Sequence, residues 1–191
     1  MATQARDRLI DHAVELLWER GYTATSPRDV QEAASVGQGS MYHHFKGKAD
    51  LARHAIARVA ERMRADLDRL LRDEAGLRGV EAYLRKRREP ALGCRLGRLA
   101  QEPGILEDRN LRAPIAGYFD HLVGELERHL CSGQERGELA ASANPRQIAT
   151  AAAATVQGAY VIARACGDSA VFTDAVEGFM ALLDGSATQG S

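Results

Sequence analysis

The stretch from Thr25 to Lys48 decides the fold, and it reads TSPRDVQEAASVGQGSMYHHFKGK. Ser26 is a favourable helix N-cap, and Pro27 suits the first helical position. Asp29 lies where a capping box places its acidic residue. Together these signals predict a helix of about two turns that begins after Ser26 and ends near Ala34.

A tight connection over residues 35–37 leads into a second short helix, predicted from Gln38 to about Phe45. Met41 and Phe45 lie one helical turn apart, so both can pack inward on the same face. The other faces carry hydrogen-bonding side chains, namely Gln38, Ser40, Tyr42 and His43. This layout is that of a helix-turn-helix, whose second helix enters the DNA major groove. Taken alone the layout is a weak signal, because any helical bundle contains such pairs.

The side chains of the second helix suit contact with DNA. Gln can bond to adenine with two hydrogen bonds, and Ser suits either a base or a phosphate. Gly39 removes a side chain where a DNA backbone could approach closely. Lys48 begins the next helix and combines a cation with free backbone N–H groups, which suits a phosphate. Since the helix contains no Arg or Lys, specificity is expected to depend on adenine contacts, thymine methyls and DNA shape.

The quoted stretch resembles the helix-turn-helix of the tetracycline-repressor (TetR) family of transcriptional regulators. The specific part is the pattern Gly-x-x-Tyr-x-His-Phe-x-x-Lys, filled here by Gly39, Tyr42, His44, Phe45 and Lys48. The resemblance implies that Arg28 and Lys48 hold phosphates, and that His44 lies at the interface edge or packs inward. The implied DNA-binding residues are Arg28, Gln38, Gly39, Ser40, Tyr42, His43, His44 and Lys48.

The turn departs from the family pattern at two positions. Ser35 stands where the family usually has Gly, and Gly37 stands where it has Ser or Thr. If Ser35 adopts the left-handed conformation, it costs about 1 kcal/mol relative to Gly. Gly37 lacks a capping hydroxyl, although Gly is a tolerable cap. We therefore expect a slightly destabilised but intact turn.

Charge does not mark this region as a nucleic-acid binder. The chain has a formal net charge of −1, and residues 1–50 carry six Lys/Arg against seven Asp/Glu. The overall basic footprint expected of a DNA-binding head is missing. A DNA-binding role must therefore depend on where the charges lie and not on their sum.

Outside this stretch, apolar residues recur at helical spacing along the chain. A first helix is predicted from about Gln4 to Arg20, ended by Gly21, and a fourth from near Lys48 to about Asp73. Further helices are predicted over residues 80–88, 94–101, 108–130, 145–165 and 170–183. The prediction is an all-α fold of about nine helices. Its expected parts are a three-helix DNA-binding domain (1–48), a helical effector-binding and dimerisation domain (49–185) and a flexible tail (186–191).

The stretch from Gly93 to Glu102 resembles the sixth-helix region of a regulator branch that includes multidrug-type sensors. In such proteins the effector lies among the helices that span residues 50–165 here, and a small, largely apolar effector is expected. An alternative is that most of the candidate residues are ordinary core, because pockets are themselves mostly apolar. The candidate pocket residues are Tyr83, Cys94, Leu99, Phe119, Val123, Val156 and Tyr160.

The last two long helices are candidates for a dimer interface, since the family makes a four-helix interface from the corresponding pair. The alternative, packing within one chain only, would leave an exposed apolar patch. The candidate interface residues are Ala152, Ala153, Gly158, Ala159, Val176, Phe179 and Met180. The resemblance implies a homodimer that represses transcription from a palindromic duplex-DNA operator until a ligand releases it. The fourth helix is the expected lever between ligand and DNA.

Several other functions are disfavoured by the sequence. It shows no nucleophile motif, no phosphate loop and no metal-ligand spacing among its histidines, so we expect no enzyme, cofactor or metal. Cys94, Cys131 and Cys166 are expected to be buried free thiols, and the basic run 85–88 a solvated helix end. No signal peptide or membrane span is recognised, so a cytoplasmic protein is expected. A helical adaptor that binds protein remains an alternative, which salt-dependent binding to duplex DNA would separate.

Overall fold

The computed structural model describes residues 2–187, and ten helices account for the secondary structure of that range. The additional helix relative to the prediction is the short one that Pro103 opens, because a proline fits the first turn of a helix as well as it ends one. The helices are α1 (Ala2–Arg20), α2 (Pro27–Ala34), α3 (Gln38–His44), α4 (Lys48–Leu71), α5 (Leu77–Arg85), α6 (Arg95–Leu99), α7 (Pro103–Leu106), α8 (Arg109–Glu135), α9 (Pro145–Cys166) and α10 (Ala170–Ala187).

The chain divides into two compact units. The first unit holds α1, α2, α3, the part of α4 up to Met63, α6, α7 and the part of α8 up to Tyr118. The second unit holds the remainder of α4 and α8 together with α5, α9 and α10. α10 continues to Ala187, so the first two residues of the predicted flexible tail are helical. Residues 188–191 of that tail lie outside the described range.

In the first unit, α1 contacts α2, α3 and α6. The apolar stripe predicted along α1 is buried, with Leu9, Ile10 and Leu17 almost inaccessible to solvent. α1 ends at Gly21, whose φ of 86° is the left-handed conformation that glycine tolerates. A Cβ at this position would also lie 2.6 Å from a carboxylate oxygen of Glu102, and this side chain would have to shift to admit it.

The predicted start of α2 is confirmed in detail. The Ser26 hydroxyl accepts a hydrogen bond from the Asp29 N–H at 3.2 Å, and the Asp29 carboxylate accepts one from the Ser26 N–H at 2.7 Å. The reciprocal pair satisfies two of the backbone donors that a helix N-terminus leaves free. The Ser26 side chain and the Ser26 N–H, both hydrogen-bonded to the Asp29 carboxyl, hold the pKa of that carboxyl below its usual value.

The turn between α2 and α3 has the predicted strain. Ser35 adopts φ 51° and ψ 47°, and it is the only non-glycine residue with a positive φ among those described. Gly37 is the N-cap of α3 and, having no side chain, makes no side-chain capping bond. The turn is therefore intact and holds its conformation without the residue types that favour it most.

Replacing Ser35 with Gly is expected to raise the free energy of unfolding by about 1 kcal/mol, because the left-handed conformation then carries no Cβ penalty. Chemical denaturation monitored by circular dichroism measures the change. Ser35→Ala is the matched control, since it keeps the Cβ and should bring no gain. A Gly variant no more stable than the Ala variant would contradict this account of the turn.

In the second unit, α9 packs along α10, and α5 contacts both of them. The Asn144 side chain accepts a hydrogen bond from the Gln147 N–H at 3.1 Å, and Pro145 occupies the first turn, as predicted. α9 ends at Gly167, which is left-handed with φ 65°. Within the described residues, none of the helices is long and apolar enough to span a lipid bilayer.

The thiols differ from their predicted burial. Cys94 is buried as expected, but Cys131 and Cys166 are exposed. Cys131 lies on a solvent-facing position of α8, and Cys166 is the last residue of α9, where the helix ends in an exposed turn. The prediction of buried thiols is wrong for these two residues because it depended on residue type alone.

Candidate DNA-binding surface

Two buried anchors orient α3. Met41 and Phe45 are 0% and 1% exposed, and α3 contacts both α1 and α2. Anchoring one face of a helix of only seven residues directs its other faces to solvent. The exposed residues on these faces are Gln38, Gly39, Tyr42 and His43, and Ser40 is half-buried.

Tyr42 is the most prominent side chain on this face. It is 53% exposed and belongs to the few large hydrophobic residues that the fold leaves in solvent. Tyr42, Gln38 and Arg28 line one open depression of about 720 Å³ between α2 and α3, together with the turn that joins these helices. The structure thus places residues from both helices of the motif on a common surface.

Gly39 has no structural requirement for glycine. A Cβ at this position would meet no other atom of the protein within 4 Å, and its φ is not in the left-handed region. A glycine inside a helix costs up to about 1 kcal/mol relative to Ala. The fold therefore gains nothing from Gly39, which agrees with a role in letting another molecule approach the helix.

Replacing Gly39 with Ala is expected to raise the free energy of unfolding by up to about 1 kcal/mol and to weaken DNA binding. The matched control is Gly124→Ala, because Gly124 lies inside α8 in the second unit and a Cβ there also meets nothing within 4 Å. The control should share the gain in stability and leave DNA affinity unchanged. Fluorescence anisotropy with operator DNA separates the two variants, and equal affinities would contradict a close approach at Gly39.

Lys48 is held in place by groups far from it in the sequence. Its Nζ donates a hydrogen bond to the Thr23 carbonyl at 3.2 Å and lies 4.5 Å from the centre of the Tyr22 ring. The backbone N–H groups of Tyr22 and Thr23 in turn donate to the two carboxylate oxygens of Glu102, at 2.8 and 2.9 Å. The side chain of the first residue of α4 is thereby fixed against the turn that follows α1.

Glu102 is thus a positioning residue for the surface. It reaches back about 80 residues in sequence to the turn after α1. No local pattern in the sequence indicates such a partner, because the contact depends on how α6 and α7 pack in the first unit. The only indication in the sequence is that Glu102 is the last residue of the stretch from Gly93 to Glu102, which resembles the sixth-helix region of multidrug-type sensors.

The positions of Arg28 and His44 agree only in part with their predicted contacts to DNA. Arg28 is exposed, as the DNA-contact prediction requires, but its Nε bonds to the Glu32 carboxylate one turn further along α2, at 2.8 Å. This hydrogen bond raises the pKa of Arg28 above its usual value. His44 is half-buried with its ring edge-on to Phe45, at a centroid distance of 6.3 Å, which supports the inward-packing alternative.

Replacing Glu32 with Gln is expected to raise DNA affinity several-fold, because it removes a surface anion and frees Arg28 for a phosphate. Binding measured across a salt series should also show a steeper salt dependence. Glu177→Gln is the control, since Glu177 pairs with Arg85 at an exposed site of the second unit. A Glu32→Gln variant that binds DNA no better than the control would exclude Arg28 from the interface.

The acidic residues of the DNA-binding domain pair with groups of the same chain. Asp7 and Asp11 bind Arg58 at 2.6 and 3.1 Å, and the hydrogen bond from Arg58 lowers the pKa of the Asp7 carboxyl. α3 itself contains no acidic residue. The anions therefore serve the folding of the head and are absent from its recognition helix. Six of the seven acidic side chains within residues 1–50 bond to a group of the first unit, namely Asp7, Asp11, Glu15, Asp29, Glu32 and Asp50.

Three of the predicted effector-pocket residues lie together in the second unit around Arg88. Its guanidinium group lies 4.9 Å from the centre of the Tyr83 ring. Burial raises the pKa of Tyr160 to about 12 and also raises that of Tyr83, while electrostatic interaction with Cys94 adds to both shifts. Phe172 closes the group, with its ring centre 4.9 Å from that of Tyr160 and 5.8 Å from Arg88.

Arg88 therefore differs from the solvated helix end that the sequence predicted for residues 85–88. Residues 85–87 are exposed, but the Arg88 side chain turns back and donates to the carbonyls of Tyr83 and Leu84 at the end of α5. The other pocket candidates have mixed positions. Val123 and Val156 are buried and Phe119 is half-buried in the second unit, whereas Leu99 is buried in the first unit.

The predicted interface residues are mostly covered within the chain. Gly158 and Phe179 are partly exposed. The remaining five are at most 9% exposed because α9 and α10 pack on each other and on α5. These five are Ala152, Ala153, Ala159, Val176 and Met180.

Comparison with known proteins agrees with this geometry. Residues 9–55 match the family model described as bacterial regulatory proteins, tetR family. Residues 74–179 match the one described as tetracyclin repressor-like, C-terminal domain. The two matches cover the helix-turn-helix and most of the second unit.

Individual relatives support the same assignment. The transcriptional regulator AcuR of Cereibacter sphaeroides is 30% identical over 158 residues, which are 78% of this chain and 72% of AcuR. The HTH-type transcriptional repressor DhaR of Mycobacterium sp. (strain GP1) is 26% identical over 161 residues, covering 82% and 81% of the two chains. The crystal structure of a regulatory protein TetR from Rhodobacter sphaeroides superposes with a TM-score of 0.80 at 28% identity, covering 92% of this chain and 96% of that one.

The anchored α3, its exposed polar face and the helical second unit define a helix-turn-helix transcriptional regulator with a C-terminal ligand-binding domain. Within that class, the chain belongs to the tetR family of bacterial regulatory proteins.

Proposed function

We propose that this protein is a repressor that binds a palindromic operator as a homodimer and leaves it when a small effector binds the second unit. The exposed face of α3 is the observation that carries the proposal, because Tyr42 and Gly39 are left in solvent without a structural reason. Repression follows the relatives, among which DhaR is named a transcriptional repressor.

The dimer is proposed to form through α9 and α10. Val161 and Ile162 on α9 are each 50% exposed, and Leu182 on α10 is 77% exposed. Large apolar side chains left in solvent on two packed helices suit a second copy of the same pair. The interface is therefore assigned to these three residues with Gly158 and Phe179, while the five covered candidates stabilise the chain itself.

The effector is proposed to bind beside Tyr83, Cys94 and Tyr160. Their surroundings are apolar and aromatic, and Arg88 adds a fixed donor to the group. Apolar walls with a few convergent polar groups are typical of small-molecule sites. The favoured effector is therefore small and largely apolar, with one hydrogen-bond acceptor for Arg88 or a phenol hydroxyl.

Operator selection tests the DNA-binding part of the proposal. Purified protein is mixed with random duplex DNA at low salt, and the retained DNA is sequenced. The expected result is one enriched palindrome, whose affinity falls steeply with salt. Lys48→Gln should weaken binding to it and flatten the salt dependence, whereas Lys86→Gln, at an exposed cation of the second unit, should change neither. Enrichment of no sequence by a folded, dimeric protein would contradict the proposal.

A further inference from the structure

Three potential metal ligands converge in the second unit, on a surface that the proposed function does not use. Asp68 lies near the end of α4, and His121 and Glu125 lie on α8. One ligand atom from each residue lies within 4.8 Å of the other two. The His121 Nε2 and an Asp68 carboxylate oxygen are already in contact at 2.6 Å. The residues line an open cleft of about 420 Å³.

The arrangement follows from helix geometry. His121 and Glu125 are separated by one turn of α8, so both side chains project from the same face. α4 supplies Asp68 opposite them. No spacing along the sequence marks this set of ligands, because a single histidine is combined with carboxylates from two helices. The third ligand also comes from a helix 53 residues away.

We propose that Asp68, His121 and Glu125 bind one divalent transition-metal ion of the zinc class. One imidazole and two carboxylates form a donor set that zinc accepts in proteins, with water in the open position. Two ligand atoms of one tetrahedral zinc ion lie about 3.3 Å apart, because each bond to the metal is about 2 Å long. Binding therefore replaces the His121–Asp68 hydrogen bond and draws ligand atoms that lie within 4.8 Å of one another closer together.

Arg128 provides a test in which a substitution is expected to strengthen metal binding. Its guanidinium pairs with the Glu125 carboxylate, which is only 16% exposed and would otherwise be a poorly solvated anion. Arg128 itself is 66% exposed and can swing into solvent. It therefore competes with the metal ion for Glu125 and compensates this carboxylate when no metal is bound.

His129 is excluded as a fourth ligand, although it lines the same cleft. A Cβ on Gly79 would lie 2.3 Å from the His129 Nδ1, so α5 packs directly against this ring. His129 is also only 8% exposed. Its ring is consequently part of the packing between α8 and α5.

Calorimetric titration with zinc chloride tests the proposal. The protein is tag-free and carries Cys131→Ser and Cys166→Ser, because both thiols are exposed and would bind zinc themselves. One ion per chain is expected to bind. Asp68→Asn and His121→Gln should each weaken the affinity about tenfold or more, and Asp66→Asn should not, because the Asp66 carboxylate pairs with Arg69.

Arg128→Gln should instead tighten zinc binding, an effect that zinc bound to carboxylates elsewhere on the surface would not show. Circular dichroism confirms that each variant is folded, and zinc should raise the melting temperature of the parent protein more than that of Asp68→Asn. Absence of zinc binding by the parent, or unchanged binding by Asp68→Asn and His121→Gln, would overturn the proposal. DNA affinity does not enter this test, so its outcome is independent of the proposed regulatory function.

Discussion

Tyr42→Ala is expected to weaken operator binding at least about 30-fold. A side chain that contacts a base or phosphate contributes about 1–3 kcal/mol, and a palindrome engages two heads, so at least about 2 kcal/mol is lost. The free energy of unfolding should change by less than about 0.5 kcal/mol, because Tyr42 is 53% exposed and anchors nothing in the core. Anisotropy titration with the selected operator measures the first quantity, and chemical denaturation measures the second.

Two further variants locate the origin of the effect. Tyr42→Phe removes only the hydroxyl, so a loss equal to that of Tyr42→Ala would assign the contact to the hydrogen bond and not to the ring. Leu92→Ala is the control, since Leu92 is an exposed apolar residue of the second unit. A folded Tyr42→Ala protein that binds the operator as tightly as this control would remove α3 from the DNA interface.

The helix-turn-helix could be predicted from sequence because its determinants are local. The Ser26–Asp29 capping box, the left-handed Ser35 and the buried pair Met41 and Phe45 each depend on residues within a few positions of one another. Such short-range signals depend little on the rest of the chain.

The determinants that the sequence did not reveal are long-range. Glu102 fixes the turn that holds Lys48, and Arg88 turns back onto Tyr83 beneath Phe172. Neither residue belongs to a local motif, because each depends on which helices become neighbours. A charged side chain at a helix end is predicted from the sequence to lie in solvent. A long cationic side chain can, however, also donate hydrogen bonds to carbonyl groups and cover aromatic rings.

The predicted dimer interface also depends on which helices become neighbours. Small and apolar residues on α9 and α10 are predicted to face a partner, yet most of them are already buried within the single chain. Residue type indicates that a face is apolar but not which of two apolar surfaces covers it. The exposed fractions of Ile162 and Leu182 distinguish the two cases.

Ile162→Glu is expected to separate the dimer, raising its dissociation constant by more than about 1000-fold. A charge forced into an interface without a partner costs several kcal/mol, and two-fold symmetry places two such charges in one dimer. The isolated chain should remain folded, since Ile162 is 50% exposed before any partner binds. Sedimentation equilibrium measures the dissociation constant. Leu92→Glu adds the same charge elsewhere in the second unit and should remain dimeric.

The same variant should lose operator affinity although its DNA-binding surface is intact. α3 contains neither Arg nor Lys, and the cations of the DNA-binding domain do not outnumber its acidic residues, six of which are paired within the chain. A single DNA-binding domain is therefore expected to bind DNA weakly. Affinity then depends on the effective concentration that the dimer gives its second head. An Ile162→Glu monomer that bound the full palindrome as tightly as the parent would contradict both the interface and this origin of affinity. A half-site should distinguish the two proteins little, because each uses a single head there.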